Sequence, residues 1–257
     1  MSDETKTLNL EIALDADAET VWRAVSEGEE LKRWFPLDAR VTPGVGGAVW
    51  CSFGGGMDWE TPIEVWEPNH HLRTADPPPS GIAVDYFIEA RGGETVLRIV
   101  QSGFAAAGWD DELIETAQGG WRSFLATLRH YLRFHRGEPR TMAYVRHDAV
   151  PLSRPEAFQR MLTAFGFVPA ELREGGRFDV TAANGDRFTG VIDVLNPPMH
   201  LSGSFENHGN AFFMIEIEPG KERCRPAIWV SLYGEAGREA PALQARLREL
   251  VVSTFGR

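Results

Sequence analysis

The chain has 257 residues, 43% of them apolar and 25% charged, and a formal charge of −11. It reads as a soluble globular protein, with no apolar run long enough to cross a bilayer. The acidic balance argues against nucleic acid or an anionic membrane as the main partner, because both are held by surplus Lys and Arg.

The start, "MSDETKTLNL", lacks the basic and apolar stretches of a secretory signal, and the two cysteines, Cys51 and Cys224, agree with a cytoplasmic location. "TKTLNLEIAL" reads as a strand, and "DAETVWRAVSEGEELKRWF" as two short helices opened by a capping Asp. Five or six strands follow, separated by Gly, Pro and Asp turns. From Asp110 to about His135, Ile114, Ala117, Trp121, Phe124, Leu125, Leu128 and Leu132 recur on one helical face. Gly119 and Gly120 sit inside this pattern, each costing roughly 1 kcal/mol against alanine. They predict either close approach of a strand or ligand, or a helix break. "HRGEPR" is the expected linker. Beyond it come a strand near "TMAYVRH", a helix "SRPEAFQRMLTAF" capped by Ser153 with Pro155 in its first turn, more strands, and a helix "EAPALQARLRELVVSTF".

The chain repeats itself. A shift of 129 residues lays Gly46-Gly47 on Gly175-Gly176, Gly56 on Gly185, Ile63 on Ile192, Pro68 on Pro197, His71 on His200 and Leu72 on Leu201, without a gap. "IEVWEPNHHL" and "IDVLNPPMHL" are the most alike. Strand alternation across the copies predicts Val49, Cys51 and Phe53 facing the core and Trp50 facing away; Trp59/Phe188, Ile63/Ile192 and Val65/Val194 inward; Glu64 and Asp193 toward solvent. The halves differ in charge: residues 1–137 hold 12 basic and 22 acidic side chains, the remainder 14 and 15. Seven of the eight tryptophans lie in the first half.

"AETVWRAVSEGEELKRWF", "GGAVW", "IEVWEPNHHL", "TVLRIVQSGF" and "GGWRSFLATL" together resemble the bacterial family named after the C-terminal domain of the activator of the Hsp90 ATPase, within the START-like, Bet v 1-like (SRPBCC) superfamily. The resemblance implies an α+β helix-grip fold, a curved antiparallel sheet wrapped on a long C-terminal helix. Residues 1–137 would form one copy. Residues 138–257 would form a second, shorter and degenerate copy that lacks the "LKRWFP" helix and the tryptophan of the last helix. The repeated phrase is then the trace of a tandem duplication, and the pair is expected to form a monomer with a pseudo-two-fold relation between its domains.

The resemblance also implies a cavity between sheet and helix that takes lipids, polyketides or other apolar small molecules. Its expected lining is Trp34, Val49, Cys51, Phe53, Trp59, Ile63, Tyr86, Leu97, Ile99, Gln101, Trp121 and Leu125, with Gln101 and the Tyr86 hydroxyl as orienting polar groups. A solid core of the same residues is the competing reading. The tryptophan bias directs any ligand to the first copy. His70 and His71 point to opposite faces of an extended segment with no third ligand at a familiar spacing, so no metal is expected, and the recurrence of His71 as His200 predicts a turn or edge role. Neither cysteine lies in a nucleophile motif, and no phosphate loop or dinucleotide fingerprint occurs. Asp110, Asp111 and Glu112 read as complements to a helix dipole. The expected function is non-enzymatic binding of a hydrophobic small molecule, without a cofactor. The alternatives are an Hsp90-type chaperone regulator or other stress-related protein-interaction module and, as a minor one, a cyclase or aromatase-like enzyme.

Overall fold

The computed structural model describes residues 6–92, 94–219 and 223–256. Residues 1–5, which hold part of the acidic start and the first residue of the predicted first strand, lie outside that range. The chain divides into two compact units, Met1–Arg136 and Gly137–Arg257.

In the first unit, strand β1 (Leu8–Leu14) is followed by helices α1 (Ala18–Ser26) and α2 (Gly28–Leu31). Strands β2 (Asp38–Thr42), β3 (Ala48–Ser52), β4 (Asp58–Glu67), β5 (His71–Ala75), β6 (Ala83–Arg91) and β7 (Glu94–Ser102) come next, and helix α3 (Asp111–Phe134) closes the unit. The sheet runs β1-β7-β6-β5-β4-β3-β2 with antiparallel neighbours. The first strand therefore pairs with the last, from Leu8 opposite Gln101 to Leu14 opposite Thr95. α1 and α2 carry the chain from one edge of the sheet to the other. Asp17 starts α1 by accepting the Thr20 amide at 2.7 Å, and Asp110 starts α3 by accepting that of Leu113 at 2.9 Å. Each satisfies a donor that the first helical turn leaves free. α3 runs unbroken through Gly119 and Gly120, so the helix-break reading is wrong. Its apolar stripe buries Trp121, Leu125, Leu128 and Leu132, while Ile114, Ala117 and Phe124 are only half-buried.

The second unit consists of β8 (Arg140–Arg146), α4 (Arg154–Ala164), β9 (Arg177–Thr181), β10 (Arg187–Asn196), β11 (His200–Phe205), β12 (Ala211–Glu218), β13 (Arg225–Tyr233) and α5 (Ala240–Phe255). Its sheet order, β8-β13-β12-β11-β10-β9, again sets the first strand beside the last. α4 opens with a reciprocal capping box between Ser153 and Glu156. Both units are thus a sheet plus a long closing helix in the element order of a helix grip. The second has neither an α2 nor a β2 among its described residues: residues 166–176, with a single 3-10 turn at Pro169–Glu171, stand there instead.

The repeat seen in the sequence is a repeat of backbone geometry. Gly46 N–H donates to the Ile63 carbonyl and Ile63 N–H to that of Gly47, both at 2.9 Å; Gly175, Ile192 and Gly176 reproduce the pair at 2.8 and 2.9 Å. Gly46 and Gly175 adopt φ of +82° and +74°, the left-handed region that glycine enters without strain. A β-bulge lies between Ile63 and Val65 in β4, and another between Ile192 and Val194 in β10.

The glycines make a direct test of this packing. A Cβ on Gly120 would meet nothing within 4 Å, whereas one on Gly190 would lie 1.8 Å from the Ser204 carbonyl oxygen. Gly120→Ala should raise the unfolding free energy in urea by about 1 kcal/mol. Gly190→Ala should lower it by about 3 kcal/mol, because the obstacle is backbone.

Candidate functional site

The bulge in β4 decides which side chains face α3. Trp59, Thr61 and Ile63 share the inner face, with Trp59 opposite Cys51 and Ile63 opposite Thr74. Beyond the bulge, Val65 pairs with Arg73 and Trp66 with Leu72. The expectation that Val65 points inward is therefore corrected: one extra residue inverts the alternation. Trp66 takes the inner face and meets Trp22 of α1 edge-on at 5.0 Å. Trp50 faces away, stacked under the Arg40 guanidinium at 3.9 Å.

At the β3–β4 end of the inner face, five rings form a continuous cluster with α3. Phe35 stacks on Trp121 (5.3 Å, 16°) and meets Phe124 edge-on at 4.9 Å. Phe53 packs on Phe35 and Phe124, at 5.6 and 5.8 Å, and stacks on Trp59 at 5.6 Å. Trp121 is buried, Phe35, Phe53 and Phe124 are half-buried, and Trp59 is 41% exposed. The cluster therefore grades from interior to solvent. The hairpin beside it, Gly54-Gly55-Gly56, has φ between +62° and +83° at all three positions, and its Gly54 N–H donates to the Ser52 hydroxyl at 3.1 Å.

Behind the rings lie three polar groups. Gln101 accepts the Trp121 indole N–H at 2.8 Å. Tyr86 meets Trp121 edge-on at 6.1 Å and is 8% exposed. Burial, then the nearby Cys51, raises the Tyr86 phenol above its ordinary range, so it stays a neutral donor. Burial alone pushes the Cys51 thiol up to about 12. The arrangement offers an apolar, aromatic wall, a phenol donor and an amide, which is suited to orienting a planar or apolar molecule bearing a carbonyl or hydroxyl group.

Of the residues expected to line a cavity, Phe53, Trp59, Tyr86, Gln101 and Trp121 are brought into this one arrangement. Cys51 lies within electrostatic reach of Tyr86. Ile63, Leu97, Ile99 and Leu125 are fully buried floor, and Val49 is half-buried between Val41 and Thr61. Trp34 borders the cluster: its ring meets that of Phe35 at 5.4 Å, and it is fully buried and donates its indole N–H to the Ala24 carbonyl at 2.8 Å, tying the end of α2 to α1. The sequence reading missed Phe35 and Phe124 as site residues. Phe124 already stood on the apolar stripe of α3, and Phe35 closes the "LKRWF" segment, so proximity to Trp34 and Trp121 was the available signal.

His71 and His200 each open a strand after the repeated turn, but β5 and β11 lie inside their sheets, so an edge role is excluded. His71 Nε2 lies 2.7 Å from Asp85 on the outer face of the first sheet. His200 is fully buried with Nε2 3.5 Å from Glu216.

The second unit fills the equivalent space. Phe188, which corresponds to Trp59, is fully buried and stacks on Phe205 at 4.4 Å; Phe205 stacks on Phe213 at 4.2 Å. Its β9–β10 hairpin is tied to α5 through Asn184, which donates to the Arg246 carbonyl at 3.3 Å, and through the Arg246–Asp186 pair at 2.9 Å.

Residues 15–133 match the family model described as Activator of Hsp90 ATPase homolog 1-like protein. The match lies wholly within the first unit. No curated protein matches the chain. Among solved structures, this chain is similar to the Aha1 dimer from Colwellia psychrerythraea, with 22% identity, 51% of this chain and 99% of that chain covered, and a TM-score of 0.45. It is similar to a protein from Mesorhizobium loti, with 24% identity, 50% and 97% covered, and a TM-score of 0.44. Over 98% of its length it is similar to 97% of the di-domain ARO/CYC BexL from the BE-7585A biosynthetic pathway, with 16% identity and a TM-score of 0.43.

Two outcomes follow from burial in the first unit. Because the folded Cys51 thiol titrates near 12, above its unfolded value, its contribution to stability is complete below about pH 8.5 and is lost as pH rises toward 12. Iodoacetamide at about pH 8 should leave Cys51 unmodified in the native protein and alkylate it in urea, as peptide mass mapping would read. Trp34→Phe, which orphans the Ala24 carbonyl, should lower the unfolding free energy by roughly 2 kcal/mol.

Proposed function

We propose that the first unit binds a hydrophobic or aromatic small molecule against the ring cluster of Phe35, Phe53, Trp59, Trp121 and Phe124. The molecule's polar end would meet Tyr86 and Gln101. One observation carries this reading: the first unit leaves Trp59 41% exposed at a strand position where the second unit buries Phe188 completely. The fold accommodates a sealed aromatic there, so the wet rim belongs to the first copy's own sequence. Its glycine hairpin supports the same reading, since entry of a ligand requires the rim to yield.

The family match favours a second reading, a protein module acting on an Hsp90-type chaperone, with the exposed rings as the contact. The two separate experimentally. Native mass spectrometry of the purified protein, followed by unfolding and organic extraction, should release a stoichiometric apolar compound, and adding that compound back should change tryptophan fluorescence. Trp59→Ala should weaken this binding roughly fivefold through loss of one stacking surface. A clean apo mass with no fluorescence response, together with stimulation of a chaperone ATPase that Trp59→Ala reduces, would replace the ligand reading with the second. Conversion of the extracted compound to a product of different mass would make the unit an enzyme acting on its ligand.

A further inference from the structure

Among the described residues, the edge of the second sheet lacks a strand that the first sheet has. In the first unit β2 pairs with β3 in the register Ala39–Cys51, Arg40–Trp50 and Val41–Val49. A shift of 129 residues turns β3 into β9, so the corresponding positions are Val180, Asp179 and Phe178. β9 bonds β10 on one side, and no strand bonds its other side among the described residues. The backbone groups of Arg177 and Asp179, which match the β2-facing groups of Ala48 and Trp50, are open rungs. Gly166 closes the far end, where a Cβ would lie 2.4 Å from the Thr181 carbonyl oxygen.

A cavity of about 240 Å³ runs beside these rungs, between β9 and the connection at residues 166–176. Phe167, Leu172, Phe178, Val180 and Ile192 give it an apolar floor, and Arg173, Arg177 and Asp179 lie along its rim. It is smaller than the ~300–1,000 Å³ of ordinary small-molecule sites but large enough for a side chain or two.

We propose that this edge is the docking site of an extended segment from a partner protein, which adds to β9 as β2 adds to β3 and seats an apolar side chain in the cavity. The required pattern is apolar, basic, apolar. The outer residues lie over Val180 and Phe178, and the central one lies opposite Asp179, whose carboxylate is 57% exposed and already faces one arginine, Arg187. The chain's own β2 has this pattern in Ala39, Arg40 and Val41, so the first unit displays the occupied form of the site. Main-chain bonds supply the attachment and alternate side chains the selectivity.

The test uses the full chain, labelled with nitrogen-15, and the terminally blocked probe peptide Leu-Asp-Ala-Arg-Val-Thr, residues 37–42 of this sequence. Saturable shifts and slowed hydrogen exchange are expected at the amides of Arg177 and Asp179. Asp179→Pro removes an outward N–H without touching a β10 bond, and should weaken binding roughly tenfold. A probe carrying Asp in place of the residue equivalent to Ala39 should lose binding on the wild-type chain, which keeps the test valid if the proline variant fails to fold. The proposal falls if millimolar probe leaves β9 unshifted, if its shifts are confined to β3, or if neither change alters them. It also falls if the β9 amides move with protein concentration alone, which would identify a second copy as the occupant, or respond to benzoate and not to the peptide, which would identify a small-molecule site.

Discussion

The diglycine turn before β3 hydrogen-bonds both backbone groups of Ile63, and the course of the first sheet depends on that clamp. With Ile63 held on both sides, the residue after it has no partner across the ladder, and the strand bulges. The bulge keeps Thr61 and Ile63 under α3 and then swings Trp66 inward against Trp22, while Val65 is turned toward Arg73. It also sets the far end of β4, where Trp59 stands at the mouth of the sheet. Retention of the same clamp and bulge in the second unit, at the same spacing, shows that what was duplicated is a bent strand pair and not merely a run of similar residues.

From this common frame the copies have gone different ways. The second stacks Phe165, Phe188, Phe205 and Phe213 into a closed interior, with ring separations from 4.2 to 5.8 Å. Stacked and edge-on pairs of this kind add about 0.5–1.5 kcal/mol each beyond the apolar area they bury. The first spends its aromatic residues on a cluster that reaches solvent and on an interior with a phenol, an amide and a thiol. The second copy, with no counterpart of α2 or β2 among its described residues, thus has the more deeply buried ring cluster and the more open sheet edge.

Much of this was legible in the sequence because it rests on local signals. Asp17, Asp110 and Ser153 marked helix starts through capping chemistry, and the 3.6-residue stripe of α3 identified its buried face. The repeat located equivalent turns without reference to any structure. Val65 was misread because a bulge is a property of two paired strands: period-two alternation assumes an unbroken ladder, and nothing in "IEVWE" alone reports the clamp on Ile63. Gly119-Gly120 was ambiguous for a related reason. A glycine lowers helix propensity locally, but the tertiary contacts of Trp121, Leu125 and Leu128 hold the helix regardless. At the site, alternation identified the faces of Phe53 and Trp59, whereas the degree of exposure was beyond it, because that depends on what the neighbouring hairpin does. Trp34 shows the converse: an inward tryptophan whose one donor is committed to the Ala24 carbonyl is a strut, and only the hydrogen bond distinguishes the two roles.

The exposure of Trp59 is the place where the first unit departs from its own best packing. A large aromatic ring buried in full gains roughly 1.5–3 kcal/mol over the same ring left in water, so an indole that is 41% exposed forgoes a substantial part of that gain. The fold does not impose the loss, because Phe188 occupies the matching position at 0% exposure. What differs is the hairpin. In the second unit Asn184 and Asp186 tie the β9–β10 turn to Arg246 of α5, and Phe165, Phe205 and His208 pack on the ring. In the first, Gly55 and Met57 stand where Asn184 and Asp186 do, and the glycines of the turn increase the backbone entropy that folding must overcome. Stability alone would select against both features together. Their coincidence at one end of one sheet, beside a buried phenol, is the pattern left where a chain has kept a surface available for something other than itself.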